Sequence, residues 1–456
     1  MSASRARRVA FGVLLRVFEE GAFADRAFRA AADRAGLAGR ERAQAQRLAY
    51  GAVQRRGTAD HLIERLAARD PGALDPPVRA ALRLGVYELL FSERTPERAA
   101  VAEAVELAKG ALRGRRGEAA AGLVNAVLRR VAREGRESLA ALDERTPEGA
   151  AILHSLPAWL VRLWWRELGA EAALSLARAA NEPAEVALRV NRLRAEPGRI
   201  AAELARAGEP VEPPPGGGLL APRGALVVRG RMGPALRESI ARGELVPQSR
   251  GSQAVVEALA PAPGERVLDL CAGPGIKTSA IAARVDPGGR VVAVELRPAR
   301  ARLIRELCAR LGATGVEVQV ADAAEGGGGD GGYDRVLVDP PCSDLGTLAS
   351  RPDARWRKSA AAIARLGALQ ERILARGAEA LRPGGTLVYS TCTISRRENE
   401  EVVSGVLAAH PEIRADDLGA AEPALASAHD RRFLQIRPDR DRTDGFFIAR
   451  LRREAA

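Results

Sequence analysis

Lysine, histidine, cysteine and aromatic residues are scarce in this chain. Only Lys109, Lys277 and Lys358 carry an ammonium among 456 residues, although Lys and Arg together number 70. The positive charge is therefore almost all arginine, a bias that a GC-rich genome produces by itself. Four cysteines (Cys271, Cys308, Cys342, Cys392) are too few for the disulfide framework of a secreted scaffold. Their spacing matches no CxxC metal pattern, and four histidines add little ligand capacity, so no metal is expected. A reducing cytoplasm is the expected compartment. No apolar run approaches the ~20 residues of a membrane span, so no membrane partner is expected. Arg5, Arg7 and Arg8 precede a short apolar run that faintly imitates a signal peptide. Arg16 ends that run, and Val9, Val13, Leu14, Val17 and Phe18 share one face of a helix directed at a core.

What is present is ordinary in bulk and uneven in detail. An apolar fraction of 46% with 28% charged residues belongs to globular proteins, and the length predicts two to four domains. A net charge of +12 favours a polyanionic partner, most simply nucleic acid. Residues 1–140 read as all-helical, with Val101, Val105 and Ala108, then Val124, Val127, Leu128 and Val131, at helical spacing. Pro76-Pro77 marks a helix start. Arginine clusters (Arg40, Arg42, Arg47, Arg55 and Arg56, then Arg113, Arg115 and Arg116) serve either a solvated helix face or contact with RNA. The pattern weakens over 140–155, where a linker is expected. Residues 150–245 read as a small α+β connector. Trp159, Trp164 and Trp165 anchor it, strands cover 186–190 and 226–228, a helix runs near 197–207, and Pro213 to Gly218 form a loop.

From residue 246 to 453 the rhythm is strand, loop, helix, strand. Strands are expected at 266–270, 290–296, 316–321, 334–338 and 385–389, with helices at 277–285, 298–311 and 358–381. That alternation predicts a doubly wound, Rossmann-like α/β sheet. Two further strands, 433–436 and 445–449, are expected side by side and antiparallel.

In such a sheet, ligands gather at the carboxyl ends of the strands. The first strand runs into Cys271-Ala272-Gly273-Pro274-Gly275-Ile276-Lys277, a glycine turn that opens a helix. It is neither GxGxxG nor a Walker loop. The second strand ends at Glu295, where a carboxylate accepts ribose hydroxyls; the third ends at Asp322, placed to meet an adenine amine. Taken singly, either acid also reads as a helix cap. Together, the three strand ends suit a nucleoside with a carboxylate tail and no phosphate: S-adenosylmethionine.

The fourth and fifth strands lead into Asp339-Pro340-Pro341-Cys342 and Tyr389-Ser390-Thr391-Cys392. Two thiols at strand ends beside a cofactor loop suggest attack through sulfur. Carbon 5 of cytosine is a poor nucleophile until a thiolate adds at carbon 6 and makes the ring an enamine. An acid against N3 helps that addition, and Asp339, neutral if burial raises its pKa, is in position. Enzymes that methylate exocyclic amines carry an aromatic after the two prolines; Cys342 stands there instead and favours the ring carbon. Burial as a small hydrophobe accounts for Cys308, inside a helix, better than for Cys342 and Cys392.

VLDLCAGPGIKT, DPPCSDLGTLASRPDARW and YSTCT resemble the cofactor loop, fourth motif and sixth motif of RNA cytosine-C5 methyltransferases. Within that family, GLVNAVLRR (122–130) is similar to a NusB-like antitermination module, and LRVNRLR (188–194) and DGFF (444–447) to the bacterial 16S ribosomal RNA methyltransferase B type. The resemblance covers nearly the whole chain. It implies a NusB-like RNA-binding domain over 1–140, a connector over 150–245 and a methyltransferase domain over 246–453. It implies Cys392 as nucleophile, Cys342 as the thiol aiding release, and Cys271 to Lys277, Glu295, Asp322 and Asp339 around the cofactor. Arg351, Arg355, Trp356 and Arg357 are expected at the RNA. The family loop usually has Gly where this chain has Ile276, and Ala where it has Gly273. The expected partner is 16S ribosomal RNA, bound by a monomer. The same chemistry on transfer RNA, and an assembly factor with a vestigial site, are the alternatives.

Overall fold

The first helix buries Val9, Val13, Leu14 and Val17 along one side, the face its sequence spacing selects. In this computed structural model, residues 3–93, 95–112, 114–329 and 331–455 are described; Arg113 of the expected basic cluster lies outside them. The chain divides into two compact units, 1–182 with 351–358, and 183–350 with 359–456.

The first unit is helical: α1 (Arg5–Glu19), α2 (Ala24–Arg34), α3 (Gly39–Gln54), α4 (Arg56–Ala67), α5 (Pro76–Phe91), α6 (Glu97–Ala111), α7 (Arg115–Ala140), α8 (Pro147–Leu153), α9 (Ala158–Leu168) and α10 (Ala170–Ala179). Its core joins Leu14, Leu48, Leu62, Leu82, Val124 and Leu128. The α3–α5 contact requires a glycine, because a Cβ on Gly51 would lie 2.0 Å from Tyr87 Cζ. One buried ion pair fixes α1 to α5: Arg7 Nη2 lies 2.6 Å from Glu88 Oε1, and Arg7 Nη1 also reaches Glu103. The linker expected at 140–155 is instead structured. Thr146 Oγ1 caps α8 by accepting the Gly149 N–H, Ala150 and Ala151 are buried, and Ser155 Oγ accepts the Gly57 N–H at 2.8 Å. The sequence signal misleads here because α8 is too short to show a helical period.

The same unit takes in residues 351–358, and with them the short helix that in chain order becomes α16 (Ala354–Arg357). This corrects the expectation of RNA contact for two residues. Arg355 is fully buried. Its Nη1 donates to Ser155 O and Asn181 Oδ1, both at 3.1 Å, and its Nη2 to Ala180 O at 2.8 Å. Trp356 Nε1 donates to Val53 O at 2.8 Å, and the Arg56 guanidinium covers the Trp356 ring. Arg357 pairs with Asp353 at 2.6 Å and stacks over Phe23. Arg351 alone of the four is exposed. Cation and aromatic residues that resemble an RNA-reading cluster in sequence are here largely spent on packing and on carbonyl oxygens of helix ends.

The second unit opens with the connector: β1 (Val186–Val190), α11 (Pro197–Arg206), β2 (Val211–Glu212), β3 (Ala225–Val228), α12 (Pro234–Ala241) and β4 (Leu245–Pro247). The strands run antiparallel in the order β2-β3-β1-β4 and pack Leu188, Val190, Leu226 and Leu245 against Ile200, Leu204 and Leu236. The face of β1 opposite Leu188 and Val190 carries Arg189, which donates to Gln248 Oε1 and to Ser279 Oγ and so pins the connector to residues 276–285, the helix that follows the next sheet's first strand.

That next sheet is built from α13 (Arg250–Leu259), β5 (Arg266–Leu270), α14 (Ile276–Val285), β6 (Arg290–Glu295), α15 (Pro298–Leu311), β7 (Val316–Val320), β8 (Tyr333–Val338), α17 (Ala360–Ala380), β9 (Leu381–Thr391), α18 (Glu400–Ala409), β10 (Ile413–Ala415), β11 (Leu434–Ile436) and β12 (Phe446–Arg453). The order is β10-β12-β9-β8-β5-β6-β7, with β11 beside β12. Strands β5 to β9 pair in parallel, and β12 runs antiparallel to β9, β10 and β11. The helix expected at 358–381 is α17, which starts two residues later: Lys358 is extended and Ser359 caps the helix by accepting the Ala362 N–H. The buried side chains of β5 and β8 are apolar on both faces, as a sheet covered by helices on both sides demands.

The exception on β5 is Asp269, 1% exposed, whose Oδ2 accepts the Thr278 hydroxyl at 2.6 Å. Burial pushes its carboxyl up to about 7, and the Thr278 bond opposes only part of that. An acid with a raised pKa in the folded chain holds its proton there while the unfolded chain has already lost it. Its contribution is full below its ordinary value of 3.8 and is lost as pH rises through about 7. Asp269→Asn should therefore gain stability on wild type as pH rises from 4.5 to 8, by ~2–4 kcal/mol in denaturant unfolding at the two pH values. A constant difference would show that Asp269 is ionised throughout. For Arg355→Ala the expected outcome is a loss of ~3 kcal/mol from stripping buried carbonyls of their donor, seen as a lower melting midpoint. RNA affinity of the folded variant should be unchanged; a folded, stable variant with weakened RNA binding would restore the RNA-contact reading.

Candidate active site

The carboxyl ends of β5, β6, β7, β8 and β9 bring the expected residues to one edge of the sheet. After β5 the chain turns through Cys271, at φ +66°, and Gly275, at φ +98°, before α14 begins. The carbonyl of Gly273 accepts from Arg300 Nη2 at 2.8 Å. A Cβ on Gly273 would lie 2.1 Å from Glu295 Oε2, so the missing methyl group lets the Glu295 carboxylate lean into the loop. Glu295 is 5% exposed, and its Oε1 accepts the Arg297 N–H at 2.9 Å. Asp322, after β7, caps the next turn by accepting the Ala324 N–H at 2.9 Å. The loop is ringed by acids: burial first, then the charges of Asp339, Asp269, Glu295 and Asp322, drive the Cys271 thiol far above its ordinary pKa. Cys271 is thus no nucleophile at neutral pH. Cys308 is buried in α15, with its thiol pushed up to about 11, and belongs to the core.

Lys277 does not point along the cofactor loop. Its Nζ lies 2.7 Å from Asp339 Oδ2 and 5.0 Å from the centre of the Phe446 ring. Burial alone would lower its pKa, but the Asp339 charge and hydrogen bond outweigh it and hold the ammonium form. Asp339 is not fully buried. Its side chain is 27% exposed, and its two oxygens are taken by Lys277 and by the Ser390 hydroxyl at 3.0 Å.

Cys342 and Cys392 leave the ends of adjacent parallel strands, β8 and β9, and converge: their sulfurs are 3.2 Å apart. Cys342 is 7% exposed and Cys392 is half-buried. Cys392 Sγ also donates to Asp344 Oδ1 at 3.2 Å. The hydrogen bond with Cys342, burial, and the neighbouring acids all raise the Cys392 pKa well above that of an ordinary thiol. In the resting protein it is therefore a thiol.

Sequence reasoning missed two residues of this site. Asp344 stands two places after Cys342, a proximity visible in the chain once a thiol–carboxylate pair is sought. Glu398, fully buried, is the other. Its Oε1 accepts the Ser343 N–H at 2.8 Å and Gln370 Nε2 at 3.1 Å, Ser343 Oγ bonds its Oε2, and Ser343 Oγ meets Thr393 Oγ1 at 2.6 Å. Within the polar run Arg396-Arg397-Glu398-Asn399-Glu400 no local pattern distinguishes it.

Three family descriptions match successive parts of the chain: the NusB family over residues 4–133, the ferredoxin-like domain of RsmF/B-like methyltransferases over 156–218, and the 16S rRNA methyltransferase RsmB/F over 256–452. The chain is 34% identical over 459 residues to a probable ribosomal RNA small subunit methyltransferase B of Bacillus subtilis, with 100% of both chains covered. It is 35% identical to the ribosomal RNA small subunit methyltransferase B of Thermus thermophilus, with 99% of each covered. The crystal structure of PH0851 superposes with a TM-score of 0.82 at 25% identity, covering 99% of both chains. A helical NusB domain, a ferredoxin-like connector and a Rossmann-like catalytic sheet with this degree of likeness along their whole length place the chain in the RsmB/F family of S-adenosylmethionine-dependent RNA methyltransferases.

Proposed function

We propose that this protein methylates carbon 5 of a cytosine in 16S ribosomal RNA through a covalent adduct between Cys392 and carbon 6. The observation that carries the reading is the pair of sulfurs 3.2 Å apart at the ends of β8 and β9, beside an acid-lined loop. The small-subunit RNA as substrate is supported by the names of the full-length relatives.

The residues at the loop suit S-adenosylmethionine. Its sulfonium and ammonium groups are cationic, and the carboxylates of Glu295, Asp322 and Asp339 stand around the turn. Cys271 to Lys277, Glu295, Asp322 and Asp339 would hold it, and when bound it supplies an electrophilic methyl group. Asp269 stands beneath as the buried support of α14 through Thr278.

The target base must leave its stack to reach sulfurs that are buried or half-buried at the strand ends. The sulfur of Cys392 adds to carbon 6, and the Lys277–Asp339 pair supplies the hydrogen bond or proton that N3 needs as ring electrons move toward it. Carbon 5 then takes the methyl group. Loss of the carbon 5 proton expels Cys392, with the Cys342 thiol at 3.2 Å placed to assist the release. Exposed Arg351 and the arginine-rich helical unit would hold the RNA largely through phosphates, so affinity should fall with added salt.

The test is methyl transfer from labelled S-adenosylmethionine to deproteinised 16S and transfer RNA, with modified positions mapped. Label should appear as 5-methylcytosine in 16S RNA; its absence from every RNA tried would sink the reading. Cys392→Ala should bring transfer down to background. Cys342→Ala should accumulate a protein–RNA adduct that survives denaturing electrophoresis, and the opposite pattern would exchange the roles of the two thiols.

A further inference from the structure

We propose that Asp344 is the general base that accepts the Cys392 thiol proton as sulfur adds to the cytosine ring. The inference rests on the reading of Cys392 as nucleophile and adds a catalytic residue to it.

Three features of the geometry point there. The thiol of Cys392 already donates to Asp344 Oδ1 at 3.2 Å, so the proton has a carboxylate acceptor before any substrate arrives. The other nearby carboxylate, Asp339, has both oxygens engaged by Lys277 and Ser390. The turn that carries Asp344 is also tied to its target: Gly346 N–H donates to the Cys392 carbonyl at 2.9 Å, and the Asp344 carbonyl accepts from Thr347 N at 3.0 Å. Backbone conformation adds weight. Asp344 has φ +60°, in the left-handed region, where a non-glycine residue costs ~1–2 kcal/mol. A glycine would relax that turn. The aspartate keeps the strain and places a carboxylate against sulfur, which is how strain at a functional site is commonly used.

Electrostatics sets the order of events. A carboxylate next to a thiol opposes thiolate formation, and the Cys392 thiol is accordingly held well up. A preformed thiolate is therefore disfavoured, and proton transfer has to accompany bond formation. The Cys392 proton goes to Asp344 Oδ1 as a sulfur lone pair forms the S–C6 bond. The C5=C6 pair moves to C4–C5, and the C4=N3 pair moves onto N3, which takes a proton from its donor. The C4–C5 pair then bonds the methyl group, the donor sulfonium keeps the pair of its broken S–CH3 bond and becomes a thioether, and the N3 pair re-forms C4=N3. The carbon 5 proton leaves to solvent, its bonding pair restores C5=C6, and the S–C6 pair returns to sulfur. Sulfur then recovers its proton from Asp344, and N3 returns its own.

Full-length Asp344→Asn and Asp344→Gly both tolerate the left-handed backbone and should fold. In single turnovers with 16S RNA and S-adenosylmethionine at pH 7, each should lose ~10²–10³-fold in the rate of adduct formation, with cofactor and RNA affinities changed less than ~3-fold. The variants' rates should then climb ~10-fold per pH unit, because solution hydroxide must make the thiolate, while wild type stays nearly flat from pH 6.5 to 8.5. Iodoacetamide labelling of Cys392, read by mass spectrometry without RNA, should move the other way. With the neighbouring charge gone, the thiol pKa falls and the variants alkylate faster at pH 7. A merely structural role would slow the reaction without changing its pH profile. Rates within ~3-fold of wild type, or a profile unchanged in shape, would overturn the inference while 5-methylcytosine formation by wild type stands. A wild-type protein that makes no adduct with any RNA removes the proposed function, and this inference with it.

Discussion

Glu398 is the carboxylate on which the geometry of the catalytic edge depends. It ends the 3-10 turn Arg396–Glu398 just before α18 and has no exposed surface. It holds Ser343, next to Cys342, through both the N–H and the hydroxyl, and Ser343 in turn meets Thr393, next to Cys392. Its own carbonyl accepts the Tyr389 hydroxyl at 2.6 Å, from the strand that delivers Cys392. Two loops from different strands are thus registered to one side chain. A polar group buried so deeply is costly unless its hydrogen bonds are satisfied, and here amide, hydroxyl and carboxamide donors satisfy it. Sulfurs 3.2 Å apart are a consequence of that brace as much as of the parallel pairing of β8 with β9.

Charge is distributed against the chain's overall sign. The protein carries +12, yet the cofactor turn faces Glu295, Asp322 and Asp339. Long-range attraction for a polyanion and local attraction for a cationic methyl donor can coexist, because surface charges are screened over about 10 Å in ~0.1 M salt. One of only three lysines stands where the two requirements meet: the Lys277 ammonium neutralises Asp339 within sight of Cys392.

Much of this was legible from the chain alone. Strands β5 to β9 announce themselves as short apolar runs, and α15 begins and ends where its proline and Gly312 predict. The two cysteine loops were identifiable because strand ends are where such sheets place chemistry. What escaped depends on contacts distant in sequence. Arg355 looks like an RNA ligand until Ser155 and Ala180, some 175 to 200 residues earlier, are found to supply its acceptors. Glu398 is one acid in a polar run until Ser343, 55 residues away, is seen beneath it. Nothing in the sequence near Asp339 discloses that Lys277 folds across 62 residues to meet it. Local period and turn chemistry carry the first kind of information, and only tertiary packing carries the second.

The inclusion of residues 351–358 in the helical unit has a consequence for the order of synthesis. An N-terminal domain ordinarily folds as soon as it has emerged from the ribosome. Here Ser155, Ala180 and Asn181 wait for Arg355, and Val53 for Trp356, until residues 183–350 have also been translated. The first unit to be made is among the last to be completed. During elongation its helices carry an unfilled slot, and the arrival of one short peptide closes it only after most of the catalytic sheet has been threaded out.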